Sequence, residues 1–146
     1  MADVTFNIAK GKAAYYAELN GASDSFIVVP IEASGLEADA TLVDYDSLDA
    51  ILSAANNEQT TMNRATLTSV TVTVDDTNNR TAIDCDDPSW ASTAGNAVGA
   101  LIFCYKPASD SADSAIIPLS KHDWSYTPDG NTVTATIGAS GFYWTT

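Results

Sequence analysis

Alternating and continuous runs of hydrophobic residues predict a chain built mainly of β-strands. The cleanest alternation covers residues 66–74, where Val70, Val72 and Val74 fall on one face and threonines on the other. This pattern predicts a half-buried strand of β-branched residues. Residues 100–105 instead form a continuous apolar run. Such a run is typical of a central strand covered on both faces, although periodicity alone does not separate it from a buried helix.

Further strand patterns are punctuated by turn formers. Residues 26–31 are strongly β-branched, and shorter strands are predicted at 4–8, 36–43, 115–119 and 142–144. Residues 123–137 are predicted to form a β-hairpin around the turn at 128–131. Residues 13–19 fit either a strand or a helical turn. Because proline cannot donate to a strand ladder, Pro30 and Pro118 are expected at an edge, an end or a bulge.

One helix is predicted over about residues 46–56. Asp46 or Ser47 can cap it, and its apolar positions recur at helical spacing. These positions are Leu48, Ile51, Leu52 and Ala55. About eight short strands with one short helix predict an all-β fold, an antiparallel β-sandwich or barrel. A length of 146 residues predicts one domain, residues 1–146.

Charge excludes several classes of partner. The chain has nineteen acidic residues and only six basic ones, which gives a net charge of −13. Nucleic-acid binding requires clustered Lys or Arg, and so does an anionic membrane surface, so neither partner is expected. No stretch approaches the roughly 20 apolar residues of a membrane span, and the first residues do not fit a signal peptide. Cys85 and Cys104 are predicted to be free thiols, with Cys104 in the core.

Candidate chemistry is sparse. The single histidine, His122, is predicted to be an exposed loop residue, and its neighbour Asp123 is expected to point the other way. The carboxylates of Asp84, Asp86 and Asp87 suggest a structural calcium site, but the spacing matches no EF-hand and favours turn capping. We therefore predict no cofactor and no enzymatic activity. Aromatic residues suggest a sugar platform or simply a core: Trp90, Trp124, Phe142, Tyr143 and Trp144.

The later part of the chain resembles a known family. The stretch Asp84-Cys85-Asp86-Asp87-Pro88-Ser89-Trp90 leads to residues 94–105, followed by 113–119, 123–131 and 141–143. From about residue 65 onward, this order is similar to small structural proteins of tailed bacteriophages. The resemblance implies a non-enzymatic virion component, most closely a capsid decoration (cement) protein. Such a protein would bind the major capsid protein on the outer surface of the head, often as a homotrimer.

An N-terminal arm and a set of aromatic and basic residues are expected to contact such a partner. Residues 1–12 form a candidate N-terminal arm, because they carry two of the six basic residues. The partner-binding candidates are Phe6, Lys10, Lys12, Tyr15, Tyr16 and Trp90. Burial of aromatic surface and the addition of a strand at a sheet edge are the expected modes of contact. The alternatives are a phage tail or fibre component and a carbohydrate-binding β-sandwich module, for which Trp90 would be the first residue to test.

Overall fold

The computed structural model describes residues 2–18, 24–91, 94–108 and 112–145. Within these ranges ten strands form three sheets, in which every strand pair is antiparallel. This confirms the predicted all-β, sandwich-like fold. The strands are β1 (Val4–Thr5), β2 (Ser25–Glu32), β3 (Ala65–Thr66), β4 (Thr71–Asp75), β5 (Arg80–Asp84), β6 (Ser89–Trp90), β7 (Val98–Lys106), β8 (Ile117–Tyr126), β9 (Val133–Thr134) and β10 (Tyr143–Thr145). The α-helices are α1 (Ala13–Glu18), α2 (Asp39–Leu42) and α3 (Leu48–Ser53), and 3-10 turns lie at Asn7–Ala9 and Asp113–Ala115.

A five-stranded sheet in the order β1-β8-β7-β2-β3 forms the centre of the molecule. Its inner strands β7 and β2 bury apolar side chains on both faces, which is why their sequences are continuous apolar runs rather than alternating ones. Phe26 and Phe103 point to one face, whereas Ile27 and Ile102 point to the other. The prediction that residues 100–105 form a central strand is confirmed, and the helical alternative is excluded.

Different layers cover the two faces of this sheet. On one face it packs against a three-stranded sheet, β10-β5-β4, through Ile83 and Phe142, with the rings of Phe103 and Phe142 stacked 4.9 Å apart. On the other face it packs against α2 and α3 through Leu42 and Ile51. The architecture is therefore a β-sandwich with an additional helical layer.

The two prolines within strands lie beside irregularities, as predicted. Pro30 immediately precedes the register shift between Ile31 and Glu32, and its carbonyl accepts a hydrogen bond from the Gln59 N–H. Pro118 lies beside the shift in which Phe103 and Cys104 pair with residues 120 and 118. Both positions lack a regular ladder on one side, so the missing proline N–H costs little.

Strand β4 has the predicted conformation, but its predicted burial is wrong. Residues 71–75 do form a strand, yet Val72 is 40% exposed and Val74 is 71% exposed. β4 lies at the edge of the smaller sheet and pairs only with β5 among the described strands. It therefore extends beyond the core, which accommodates the partly buried Val70 but not the two valines after it.

Residues 2–9 are built into the fold rather than forming a free arm. β1 pairs with β8 at Ser120 and Lys121. Phe6 is fully buried in the cluster beneath the helices. The Ala2 N–H donates to Asp39 at 2.8 Å. Phe6 and this strand pairing therefore anchor residues 2–9 of the candidate arm to the sheet.

The helices differ from expectation in length and position. The predicted helix at 46–56 is confined to α3, which begins after Ser47, the residue whose hydroxyl accepts the Ala50 N–H. Ala55 lies beyond its end and is exposed. Residues 36–43, predicted as a strand, contain helix α2 instead. The ambiguous segment at 13–19 is helical in its described part, residues 13–18.

The predicted hairpin at 123–137 does not form. β9 pairs with β6, placing Val133 opposite Trp90, and β8 pairs with β1 and β7 instead. At Asp123, one edge of β8 pairs with β7 and the other edge is covered by Asp3. The Asp3 carboxylate accepts the Asp123 N–H at 2.8 Å. The turn signal was correct, because Asp129 accepts hydrogen bonds from the backbone and side chain of residue 131. After this turn the chain runs alongside β6 instead of returning along β8, so the two arms of the predicted hairpin do not pair with each other.

Candidate functional site

The six sequence-predicted contact residues do not form one surface. Phe6 and Trp90 are core residues, and the Trp90 indole N–H donates to the Asn63 carbonyl. They are therefore not accessible to a partner or a sugar in this fold, which corrects both assignments. Tyr16 is partly buried and stacks on Tyr105 with 4.7 Å between ring centroids. Three candidates remain at the surface: Lys10, Lys12 and Tyr15.

The first surface feature is the outer edge of β4, residues 71–75, hereafter the β4 edge. Its backbone pairs with β5 on one side, and no described strand pairs with it on the other. Val72 and Val74 are two of the four large hydrophobic residues that are exposed among the described residues, together with Tyr15 and Trp144. An unpaired edge with exposed β-branched side chains is a ready template for an incoming strand. The sequence does not reveal this surface, because an alternation of valine and threonine is equally compatible with valines that face the core and valines that face solvent.

Carboxylates lie at both ends of the β4 edge. Asp86, just before the edge in space, accepts from the Ser69 and Thr68 hydroxyls, and these bonds lower the pKa of its carboxyl group. At the other end, hydrogen bonds from Asn78 lower the pKa of Asp75, with a smaller contribution from Arg80. Both carboxyl groups are therefore held in the charged form. The charge of Asp75 is balanced by Arg80 at 3.0 Å, whereas Asp86 is held by the neutral hydroxyls of Thr68 and Ser69.

Internal ion pairs leave few basic groups at the surface. Arg64 binds the carboxylates of Glu58 and Asp113, and Arg80 binds Asp75. Lys121 is fully buried and binds Asp39 and Asp123. The other three basic residues, Lys10, Lys12 and Lys106, are exposed or half-buried. The surface is therefore strongly acidic and suits a cationic or neutral partner.

The second surface feature is a pocket of about 350 Å³ between the end of β8 and the segment at 135–142. The Phe142 carbonyl is held in place at one side of the pocket. It accepts a hydrogen bond from the Ser120 hydroxyl at 2.6 Å, and it lies 2.7 Å from His122 Nε2. Gly141 has a φ of +74°, and a Cβ there would lie 2.1 Å from the Ile83 carbonyl oxygen. Only glycine lets the chain pass so close to β5. We call this the Trp144 pocket after its most exposed large side chain.

His122 lies in β8 and lines the pocket, so its prediction as an exposed loop residue is wrong. Its Nδ1 is 3.0 Å from Asp3 Oδ2, and its ring meets Phe103 edge-on at 5.3 Å. The neighbouring carboxylate of Asp123 binds Lys121 instead, in keeping with the expected alternation along the strand. The partner of His122 comes from 119 residues away in the sequence, so no local signal could have revealed it.

These residues do not assemble a Ser–His–Asp nucleophile site, although Asp3, His122 and Ser140 all line the pocket. A carbonyl oxygen can only accept, so the short contact with Phe142 places a proton on His122 Nε2. That nitrogen cannot then remove a proton from a hydroxyl. The Ser140 hydroxyl is engaged elsewhere, since it accepts from Arg80 at 3.2 Å.

The three carboxylates considered as calcium ligands each accept hydrogen bonds within the fold. Asp84 accepts the Cys85 N–H, Asp86 binds the two hydroxyls described above, and Asp87 accepts the Ile137 N–H at 2.7 Å. Among the described residues, no group of three or more His, Cys, Asp or Glu side chains is arranged to hold a metal ion. Only Asp84 bonds within its own turn, and Asp86 and Asp87 instead join segments distant in the sequence, so the turn-capping role that the spacing favoured fits one of the three.

The two cysteines are free thiols, as predicted. Burial, followed by the charges of Asp84, Asp86 and Asp87, raises the pKa of Cys85 to about 12. Burial also raises the pKa of Cys104 well above its ordinary value. Neither thiol carries the low pKa of a reactive nucleophile.

Comparisons with known proteins supply no relative. No family model, curated protein or solved structure matches the chain. In the part of the chain that the structure describes, no helix is long and apolar enough to cross a membrane. Any functional assignment therefore rests on the β4 edge, the Trp144 pocket and the sequence resemblance.

Proposed function

We propose that this chain is a non-enzymatic virion structural protein, a capsid decoration protein that binds the outer surface of a bacteriophage head. The resemblance of the sequence from about residue 65 onward supports this class. The single structural observation that carries the proposal is the β4 edge, which offers an unpaired backbone together with Val72 and Val74. On this proposal the partner is the major capsid protein, and the decoration protein binds as a homotrimer.

Strand addition is the mode of contact that the β4 edge favours. A five-residue strand presents alternating backbone donors and acceptors to solvent, and an added strand would pair with them while covering the exposed valines. Binding of the assembled shell but not of its free subunits would stabilise the shell by mass action.

Charge defines the partner segment more closely. The acidic groups Asp75 and Asp86 lie at opposite ends of the β4 edge. The complementary segment is therefore extended, with β-branched residues at its centre and a Lys or Arg near the Asp86 end, because the charge of Asp75 is already paired with Arg80. Five strand residues span roughly 15 Å, which sets the length of the partner segment that pairs with the edge. Charge complementarity of this kind favours the correct register and discourages acidic competitors.

Two measurements test this proposal. Gold-labelled antibody against the chain should decorate the heads of intact phage particles; labelling confined to the tail would make it a tail component, and absence from the particle would overturn the virion assignment. In a second experiment, the Val74→Lys variant is mixed with particles that lack the protein, and binding is measured by co-sedimentation. We expect its occupancy to fall because lysine repels the proposed basic segment.

A matched control separates the β4 edge from general charge effects. Thr41→Lys introduces the same charge on α2, an exposed position in the helical layer. This variant should bind as wild type does. Equal binding by Val74→Lys and wild type would show that contact is made elsewhere, even if the protein labels the head.

A further inference from the structure

The Trp144 pocket combines chemical groups that the proposed decoration role does not use. Its floor is apolar and includes Leu101 and Phe103, while Trp124 and Trp144 lie at its walls. Its volume of about 350 Å³ lies within the range of roughly 300–1,000 Å³ that is typical of small-molecule sites. The pocket is thus large enough to be considered as a binding site in its own right.

The tryptophans of the pocket differ from the core tryptophan in their hydrogen bonding. Trp90 donates its indole N–H to a backbone carbonyl. Within the described residues, no hydrogen bond involves the indole N–H of Trp124 or Trp144. Trp124 is half-buried, and tryptophans in such positions usually satisfy this donor, so its unpartnered N–H at the pocket points to a ligand that accepts hydrogen bonds. Trp144 is exposed, and its N–H is open to water or to the same ligand.

Other groups complete a set of donors and acceptors around the apolar walls. Thr136 is an exposed residue that contributes a hydroxyl, whereas the hydroxyl of the half-buried Ser140 already accepts from Arg80. Asp3 contributes a half-exposed carboxylate. A ligand that fits must therefore present an apolar face to aromatic rings and both donors and acceptors at its edge. A pyranose ring has this combination, with C–H groups on its faces and hydroxyls around its rim.

Charge argues for a neutral ligand. A net charge of −13 disfavours an anion, and the pocket has no exposed lysine or arginine among its lining residues. A cation is disfavoured because the two carboxylates are already engaged: Asp3 faces His122, and Asp123 binds Lys121. We infer that the Trp144 pocket, in which Trp124, Trp144 and Thr136 surround an apolar floor, is a binding site for a neutral carbohydrate.

Of the five aromatic residues considered for a sugar platform, Trp124 and Trp144 are at least partly exposed and line this pocket, whereas Trp90, Phe142 and Tyr143 are buried. The pocket lies apart from the β4 edge, since none of the residues 71–75 lines it. The two sites can therefore be separated by mutation, and each can fail without the other.

Isothermal titration calorimetry of the full chain tests the site. The probes are neutral hexasaccharides of the cellulose, amylose, mannan and chitin types, each at millimolar concentration. We expect saturable binding of at least one probe by the wild type. Trp144→Ala should weaken that binding about tenfold or more, equivalent to about 1.4 kcal/mol. Because Trp144 is 43% exposed, its removal should leave the circular dichroism spectrum unchanged.

A second variant guards against a folding defect. Thr136→Arg places a bulky side chain at an exposed position on the rim and should abolish the same binding by blocking the pocket. Val74→Lys, on the β4 edge, should bind the sugar as wild type does. Binding of none of the four probes, or equal binding by both pocket variants and wild type, would overturn the inference. Binding of choline in place of the sugars would overturn it in favour of a cationic ligand.

Discussion

Replacing Lys121 with Met tests how the N-terminal segment is held to the sheet. The Lys121 ammonium is fully buried, and it donates to the Ala2 carbonyl at 2.9 Å, to Asp39 Oδ1 at 2.9 Å and to Asp123 Oδ1. It therefore joins the start of the chain, α2 and β8. Met keeps most of the apolar stem and removes only the charged donor.

The expected loss follows from the exposure of the partners. Removing one member of a fully buried ion pair costs about 3–5 kcal/mol, because the remaining charge has no compensation. Here Asp39 and Asp123 keep 22% and 33% of their side-chain exposure, so water can replace part of the lost bonding. The Lys121→Met variant also avoids the cost of desolvating an ammonium. We therefore expect a net loss of about 2–3 kcal/mol, which is roughly 4–12 °C in Tm for a chain of this size.

Urea unfolding followed by tryptophan fluorescence measures the loss. Hydrogen exchange then locates it: amides of residues 4–9 should lose protection, while those of β7 should lose much less. Lys10→Met is the matched control, because Lys10 is exposed and its ammonium donates a hydrogen bond to the Asn7 side chain, not to a buried carboxylate. This control should change stability by less than about 0.5 kcal/mol.

Equal stability of Lys121→Met and Lys10→Met would refute the reasoning. It would mean that the desolvation cost of Lys121 cancels its three hydrogen bonds, as happens in some buried ion pairs. Loss of stability without selective exposure of residues 4–9 would refute the anchoring role, while leaving the energetic contribution intact.

Three further predictions follow from the described contacts. Phe6→Ala should cost about 3–5 kcal/mol in urea unfolding because Phe6 is fully buried, whereas Tyr15→Ala, at an exposed site, should cost less than about 0.5 kcal/mol. Cys85 should react very slowly with a thiol reagent at neutral pH and rapidly once urea unfolds the chain, since its pKa is raised to about 12 in the fold; fast reaction of the native protein would contradict this. The hydrogen bonds from Arg64 lower the pKa of Asp113, so this pair stabilises the fold above the ordinary Asp pKa of roughly 4 and loses its contribution as the pH falls below it. Wild-type stability should therefore fall more steeply than that of Asp113→Asn between roughly pH 4 and 2, and parallel acid titrations would disprove it.

The candidate surfaces were only partly predictable. Exposure of Tyr15 and the expectation of strand addition at an edge both came from the sequence. The β4 edge itself did not, because the same Val–Thr alternation describes a strand that is half-buried and one that overhangs the core. The Trp144 pocket joins Asp3 to His122 and Phe142, and nothing local links residues that are so far apart in the chain.

The sequence by itself determined the class of fold and its central strands. Residues 26–31 and 100–105 are apolar at nearly every position and rich in residues with strand propensity, which favours a strand covered on both faces; the structure then excluded the buried helix that such a run also allows. The start of α3 was likewise encoded locally, by the cap at Ser47. Tertiary structure decided which strands pair, that β9 joins β6 rather than β8, and that residues 2–9 join the sheet. These outcomes depend on contacts between residues far apart in the chain, whereas periodicity records only that the two faces of a strand differ.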